Sequence, residues 1–369
     1  MRLVYFFVIL LLFGANYIDP SGKNVVLKRW VFFLVAFIFC CGYMTGSDWR
    51  SYELDYYNLD GFKSIEIGFY ILQKLMLFLH VDFWIFSILT KVIILYFVSK
   101  TCRGLAYNAY YIAMVLFVIL EGLTILIDFP MRNSIAMAIG LCAFKYYEEK
   151  SIFKYMMVSL FAISMHTSAL ILIPLYFTRL DRIKSIWIVT FFIVFNIVLS
   201  VVGNTGISNY FTLLDDSALQ YYYDNYLSDS ENAFGKGISL SFIIHALFFL
   251  LILAKRHIIE DLPMGKTLFM CGVIFPLLYR LGQVIPIFGR FEYYACVFYF
   301  AGVASALRYI KWYRVVVPIL FVYLCIFTYR TITANFKYVP YTNYFFEFYK
   351  ELPYHYRDNY NYKNSPYYK

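Results

Sequence analysis

Apolar stretches long enough to cross a hydrocarbon core of about 30 Å recur along the whole chain, separated by short polar turns. They fall roughly at 2–17, 28–45, 66–80, 82–99, 105–127, 130–147, 152–178, 185–203, 237–254, 266–286, 290–308 and 313–331. In lipid every backbone polar group must be satisfied internally, so such segments are helical or enclosed by protein. The pattern predicts an all-α polytopic membrane protein with about 10–12 transmembrane or re-entrant helices forming one domain over residues 1–331. The first run, MRLVYFFVILLLFGANY, reads as a retained span: Arg2 is its only early charge and no small-x-small cleavage pattern precedes Asp19. Residues 332–369 form a polar, tyrosine-rich tail with Pro340, Pro353 and Pro366, in which YVPYTNYFFEFYKELPY suits a short amphipathic piece lying on a membrane.

The polar turns carry a sign. Lys23/Lys28/Arg29, Lys100/Arg103, Lys145/Lys150/Lys154, Arg179/Arg182/Lys184, Lys255/Arg256/Lys266 and Arg308/Lys311/Arg314 mark cytoplasmic turns by the positive-inside rule. Segments 46–65, 128–133, 204–236 and 286–291 then face outward, and the loops 46–65 and 204–236 are acidic and rich in tyrosine. Strict alternation fails twice. The run 152–178 lies between two basic turns, and a break at His166-Thr167 would make it a re-entrant pair of half-helices. Within 66–99, one segment lies in the interface without crossing. Irregular backbone at membrane depth lines a cavity or is buried in protein, so both exceptions point towards a cavity.

Composition agrees with the pattern. Of 369 residues, 62% are hydrophobic and only 15% charged, against about 25% charged in a soluble domain. The net charge of +9 sits mostly on loops without a basic stripe or RNA motif, which makes nucleic-acid binding a poor explanation. The seven cysteines lie mostly in apolar runs, are odd in number and show no metal-ligand spacing. No P-loop, Gly-x-Gly-x-x-Gly or Ser-His-Asp spacing appears, which argues against ATP-driven chemistry. The many aromatics, 22% of the chain, suit interface belts and a sugar-stacking surface.

Four stretches place ionisable residues at or within spans, where they are costly and therefore candidates for function. In GSDWRSYELDYYN (46–58), Asp48 follows a span directly and precedes Trp49. An apolar neighbour raises a carboxyl pKa and suits it to general-base work, whereas the plain alternative is a solvated loop acid. In DFPMRNSIAMAIG (128–140), Arg132 opens an apolar helix with small residues at Ser134, Ala136, Ala138 and Gly140, an arrangement suited to an anion, or to an Arg that reaches for lipid headgroups. In SMHTSALILIP (164–174), His166 lies mid-run beside Thr167 and Ser168, as a cavity residue or a packed one. In YRLGQVIPIFGRFEYY (279–294), Arg280 falls within a span, Gly282, Pro286 and Gly289 break it, and Arg290 follows; either the two cations face an anion or Arg290 pairs with Glu292. One or two carboxylates, several cations and a histidine around an outward cavity match a lipid-linked pyrophosphate donor and a sugar acceptor.

In order along the chain, GSDW-x-x-Y at 46–52, IEIGFYIL at 65–72, RNSIAMAI at 132–139, AFKYYEEKSIFKYM at 143–156, HTSAL at 166–170, GRFEYY at 289–294 and YVPYTNYF at 338–345 resemble the EpsG family of polysaccharide-synthesis membrane proteins. That family overlaps in function with Wzy-type O-antigen and capsule polymerases. It tends to have Glu-Pro-Gly-Tyr where this chain has Glu66, Ile67, Gly68 and an offset Tyr70, and often Arg-Gln where this chain has Arg132 and Asn133.

The resemblance implies a multi-pass protein of the bacterial plasma membrane, similar to C-type glycosyltransferases. It would join undecaprenyl-pyrophosphate-linked oligosaccharide units, one as donor and one as acceptor, among membrane lipids and alongside a flippase and a chain-length regulator. Asp48 would act as base. Arg132 and Arg290, with Arg280 and His166, would stabilise the leaving pyrophosphate. Trp49 and Tyr52 would stack on or position sugar, Glu66 would lie in the substrate site, and Glu53 or Asp55 would rank below Asp48 as a second acid. Whether a divalent metal assists is left open, and no other cofactor is implied. Two other classes compete: a flippase or exporter of the same lipid-linked unit, disfavoured because no internal repeat is visible, and a non-catalytic scaffold, disfavoured by the intramembrane charges.

Overall fold

A computed structural model describes residues 3–59, 66–204 and 239–366. Residues 60–65 of the first expected outward loop and 205–236 of the second lie outside the described residues. The described chain is all-α. Its main helices are α1 (Leu3–Ile18), α2 (Val25–Phe39), α3 (Trp49–Tyr57), α4 (Ile67–Phe78), α5 (Phe83–Leu105), α6 (Tyr110–Leu120), α7 (Met131–Glu148), α8 (Ile152–Met165), α9 (Leu172–Phe177), α10 (Ser185–Asn204), α11 (Leu240–Ala254), α12 (Gly265–Val284), α13 (Tyr293–Arg308) and α14 (Tyr313–Ala334). Among them α5, α12 and α14 are long and apolar enough to cross a membrane, and shorter apolar helices surround them. The chain is a polytopic membrane protein.

Helices α6 and α13 are apolar on every side and buried over nearly their whole length. A helix hydrophobic all round belongs at a centre, and the other helices pack about these two. Residues that face outward on α10 and α14, such as Phe191, Ile197, Ile319 and Val322, are more than half exposed, as surfaces in contact with lipid tails would be.

Both exceptions to alternation have a structural cause. Helix α8 ends at Met165, His166 is extended (φ −158°, ψ 133°), and the chain returns through a 3₁₀ turn and α9. The Thr178 carbonyl accepts from Tyr147 Oη at 2.8 Å, beside the end of α7 from which α8 set out. The segment therefore enters and leaves on one side, as the break at His166 predicts. Helix α4 has only 12 residues, about 18 Å at 1.5 Å per residue, too short to cross alone. It lies against α8 with Gly68 so close that a Cβ would stand 2.3 Å from Ser164 Oγ.

One expectation is corrected. The stretch after Asp48, read as an open loop, is helix α3, with Trp49, Tyr52, Glu53 and Tyr56 buried along one face. The spacing i, i+3, i+4, i+7 is that of an amphipathic helix. The tail is also not loose. Residues 336–344 run beside 41–46, joined by Tyr43 N–H to Thr342 O (3.0 Å), Gly46 N–H to Lys337 O (2.8 Å) and Tyr344 N–H to Cys41 O (2.8 Å). Beyond them Phe345, Phe346, Phe348 and Tyr349 are exposed together, consistent with an interfacial piece.

The two ends of the bundle differ in charge. At one end the basic turns meet: Thr267 N–H donates to Glu148 (2.8 Å), Arg256 to the carbonyls of Asp181 and Ile183 (2.6 Å each), and Lys28 lies 5.6 Å from the Tyr110 ring. At the other end lie α3, the start of α7, His166, the 286–291 turn and the folded-back tail.

Candidate active site

The site begins with an irregular helix. After α6 the chain winds as a π-helical turn over Leu123–Asp128, with Phe129 N–H reaching back five residues to Thr124 O at 2.8 Å. Such turns admit an extra residue and are frequent at functional sites. Thr124 and Asp128 of the turn, with Glu121 at the end of α6 just before it, line a cavity of about 350 Å³, whose other walls are Asp48, Pro130, Pro286, Gly289, Arg290, Glu292 and Tyr293. Phe129 then takes a left-handed conformation (φ 58°) before Pro130 and α7.

Gly46 brings the GSDW stretch onto this turn. Its φ is +87°, and a Cβ there would lie 2.3 Å from Ile127 O and 2.8 Å from Asp128 Cα. Only glycine fits a left-handed position in such close contact. The approach lets Ser47 N–H and Ser47 Oγ both donate to Asp128 Oδ1, at 2.7 and 2.6 Å. Ser47 Oγ also lies 3.0 Å from Asp48 Oδ1. Lys337, from the tail, forms an ion pair with the second oxygen of Asp128. Burial raises the Asp48 pKa above the usual carboxylate value and the negative charge of Asp128 raises it further, while the Ser47 hydrogen bond, Lys337 and Arg290 pull it down. The direction is the one expected of Asp48, but its causes are burial and the Asp128 charge, with Trp49 turned away into packing.

A second cluster adjoins the first through Tyr52, one turn beyond Asp48 on α3. Tyr52 Oη accepts from Arg132 Nε at 3.3 Å, and the guanidinium lies 5.6 Å from the Tyr52 ring. Arg132 Nη1 donates to Glu66 Oε2 at 2.8 Å. The other Glu66 oxygen takes His166 Nδ1 and, at 3.2 Å, Thr167 N–H. Glu66 and His166 are buried, whereas the Arg132 side chain keeps 34% of its surface exposed. Beneath them Ser168 Oγ donates to Asn133 Oδ1 at 2.7 Å, Tyr294 Oη to the same oxygen at 3.0 Å, and Asn133 Nδ2 to Arg290 O at 3.4 Å. Five separated sequence stretches thus converge on one place.

Of the expected site residues, Asp48, Tyr52, Glu66, Arg132, His166 and Arg290 come together here. Trp49 and Arg280 do not. The Trp49 ring is buried against Trp84 (5.2 Å between centroids) and Tyr354 (6.0 Å), with the guanidinia of Arg50 and Arg357 at 4.9 and 5.6 Å, so it is a packing residue with no face left for a sugar. Arg280 is buried between α10 and α11, donating to Ser200 Oγ (3.2 Å) and Gln283 Oε1 (3.3 Å) and lying 5.4 Å from the Phe242 ring. Glu53 is taken up by Arg357 (2.7 Å) and Trp84 Nε1 (3.2 Å). Asp55 is half-buried on α3, outside the cavity walls.

Sequence reasoning missed Glu121, Asp128, Glu292 and Lys337. Asp128 and Glu292 stood inside quoted stretches, and a carboxylate beside Phe-Pro at the end of an apolar run was the available signal. Glu121 interrupts an otherwise apolar run and could have been weighed as a membrane-depth acid. Nothing in the sequence marked Lys337. Among the described residues, no group of three or more His, Cys, Asp or Glu is arranged to hold a metal ion.

Compared with known proteins, the chain matches the family model described as the EpsG family over residues 25–343. No curated protein and no solved structure matches.

Proposed function

The chain belongs to the EpsG family of polysaccharide-synthesis membrane proteins, and from that premise we propose that it is a glycosyltransferase that polymerises undecaprenyl-pyrophosphate-linked oligosaccharide units on the outer face of a bacterial plasma membrane. The polymer would be an O-antigen, capsule or exopolysaccharide. One observation carries the reading: a cavity at a membrane edge holds a carboxylate of raised pKa, Asp48, together with Arg290, and is joined through Tyr52 to the Arg132–Glu66–His166 cluster. That arrangement supplies a base for one substrate and cations for the other.

The chemistry follows from the roles. Asp48 takes the proton of an acceptor hydroxyl as that oxygen forms a bond to the donor's anomeric carbon. The bond from that carbon to the phosphate oxygen breaks, and its electron pair leaves on undecaprenyl pyrophosphate. Charge builds on the departing oxygen, and fixed cations placed there stabilise it without reorganising. Arg290 and the exposed part of Arg132 are the groups suited to this. Glu66 fixes the Arg132 fork in place, and His166 and Thr167 fix Glu66. Asp48 then returns its proton to water. A flippase and a chain-length regulator would be working partners.

Supporting the outer face is the concentration of basic turns at the opposite end of the bundle. The test is Asp48→Asn in cells that make the polymer. Expected is loss of polymer with protein level and single-unit glycan intact; full-length polymer would remove Asp48 from the mechanism. Purified protein with lipid-linked units and no ion gradient should also yield polymer, whereas a transporter would yield none.

A further inference from the structure

At the basic end, α1 and α14 leave a groove of about 780 Å³ between them. Its floor is apolar: Phe13 on α1 faces Phe321 at 5.2 Å between centroids, with Val317 and Pro318 beside them. Its mouth holds Arg308 and Arg314. Neither forms an ion pair with a carboxylate among the described residues; Arg308 instead lies 4.7 Å from the Tyr313 ring. On the walls, Asn16 Oδ1 and Tyr313 Oη are buried without a hydrogen-bond partner among the described residues. Pro318 has no N–H for the carbonyl of Arg314, so one more acceptor at the mouth lacks its helical partner.

The depth of the mouth is marked by aromatics. Tyr17, Tyr309 and Trp312 are 87%, 48% and 70% exposed around it, the residue types that gather at headgroup level. The groove is therefore apolar where the bilayer is apolar and cationic where phosphates lie. We propose that it binds one anionic phospholipid of the leaflet at the basic end, its phosphate between Arg308 and Arg314 and an acyl chain along Phe13, Val317 and Phe321. Basic pockets between spans are suited to such headgroups, and planar guanidinia pair with phosphate through two parallel hydrogen bonds. Three features separate this from diffuse attraction to a charged surface: cations without carboxylate partners, buried polar atoms in want of partners, and an apolar slot directly beneath. The proposal stands independently of the polymerase reading.

Native mass spectrometry of the full-length protein in detergent, with phosphatidylglycerol or phosphatidylcholine added, tests it. Expected is at least five-fold preference for phosphatidylglycerol. The double variant Arg308→Ala/Arg314→Ala should weaken phosphatidylglycerol binding about ten-fold, and Val317→Trp, which fills the slot and keeps both cations, should weaken it comparably. The control Lys150→Ala/Lys154→Ala, at another basic turn, should leave it unchanged. Equal binding of the two lipids, full retention in Val317→Trp, or an equal loss in the lysine control would overturn the proposal. So would displacement of the lipid by millimolar inorganic phosphate, which would make this a site for phosphate alone.

Discussion

Ser47 has one hydroxyl proton and two carboxylates within reach, Asp128 at 2.6 Å and Asp48 at 3.0 Å. The closer one takes it, and Asp128 also takes the Ser47 N–H and the Lys337 ammonium. Burial is the main reason that the Asp48 pKa stands raised, and the Asp128 charge adds to it, while Asp48 keeps only the weaker share of the Ser47 hydrogen bond to stabilise its charged form. A base works only when deprotonated, so polymer formation should fall as pH drops through that raised pKa. Asp128→Asn removes the like charge and leaves Lys337 to act on Asp48, so the acid limb of the rate profile should move to lower pH. Rates of purified protein on lipid-linked units across pH would show this; a limb that stays or moves upward contradicts it. Gly46→Ala should cost roughly 1–3 kcal/mol, the scale of a strained left-handed residue, with a further cost from the clash at Ile127 O, read as unfolding in detergent.

Helix α3 has nine residues, fewer than the roughly 12–15 at which an isolated helix becomes even marginal in water. Its existence depends on what holds it: Trp49 on Trp84, Arg50 on Asp358 (2.7 Å) and Glu53 on Arg357 (2.7 Å). The Glu53–Arg357 pair is almost wholly removed from water, with side chains 9% and 11% exposed. Removing one member leaves a buried charge unpaired, so Arg357→Ala should destabilise by roughly 3–5 kcal/mol, while Glu53→Leu/Arg357→Met should recover most of the loss. A thermal melt of the three proteins decides it; a double variant no better than the single one would mean the pair is not the cause. Deleting 335–369 removes Lys337, Arg357 and Asp358 together. It should abolish polymer and expose α3 to protease, whereas a merely trailing tail would leave both unchanged.

For the whole molecule, the charge difference between its ends sets an orientation that labelling can read. Ser51 and Lys154 are exposed, on α3 and at the start of α8. In intact cells a membrane-impermeant maleimide should label Ser51→Cys, and should reach Lys154→Cys only after permeabilisation. The reverse result would put the Asp48 cavity on the cytoplasmic side and remove the proposed reaction's access to outward substrates.

Runs of apolar residues broken by basic turns determined by themselves that this is a helical membrane protein. The extended His166 and the short α4 were foreshadowed by failures of alternation, because those patterns follow from local sequence meeting a uniform solvent, the bilayer. The GSDW, RN, HTS and GRFEYY stretches were legible as candidate sites, since charges are costly at membrane depth. Tertiary structure alone decided their grouping. It set Tyr52 on Arg132, turned Trp49 and Arg280 to packing, and brought Lys337 across 209 positions of sequence to Asp128. The π-helical turn that points Asp128 into the cavity that Glu121 also lines, and the approach that Gly46 permits, are likewise choices of packing. The reason is physical: whether a polar side chain becomes a strut or a reactive group depends on which partners desolvate it, and those partners lie far away in sequence.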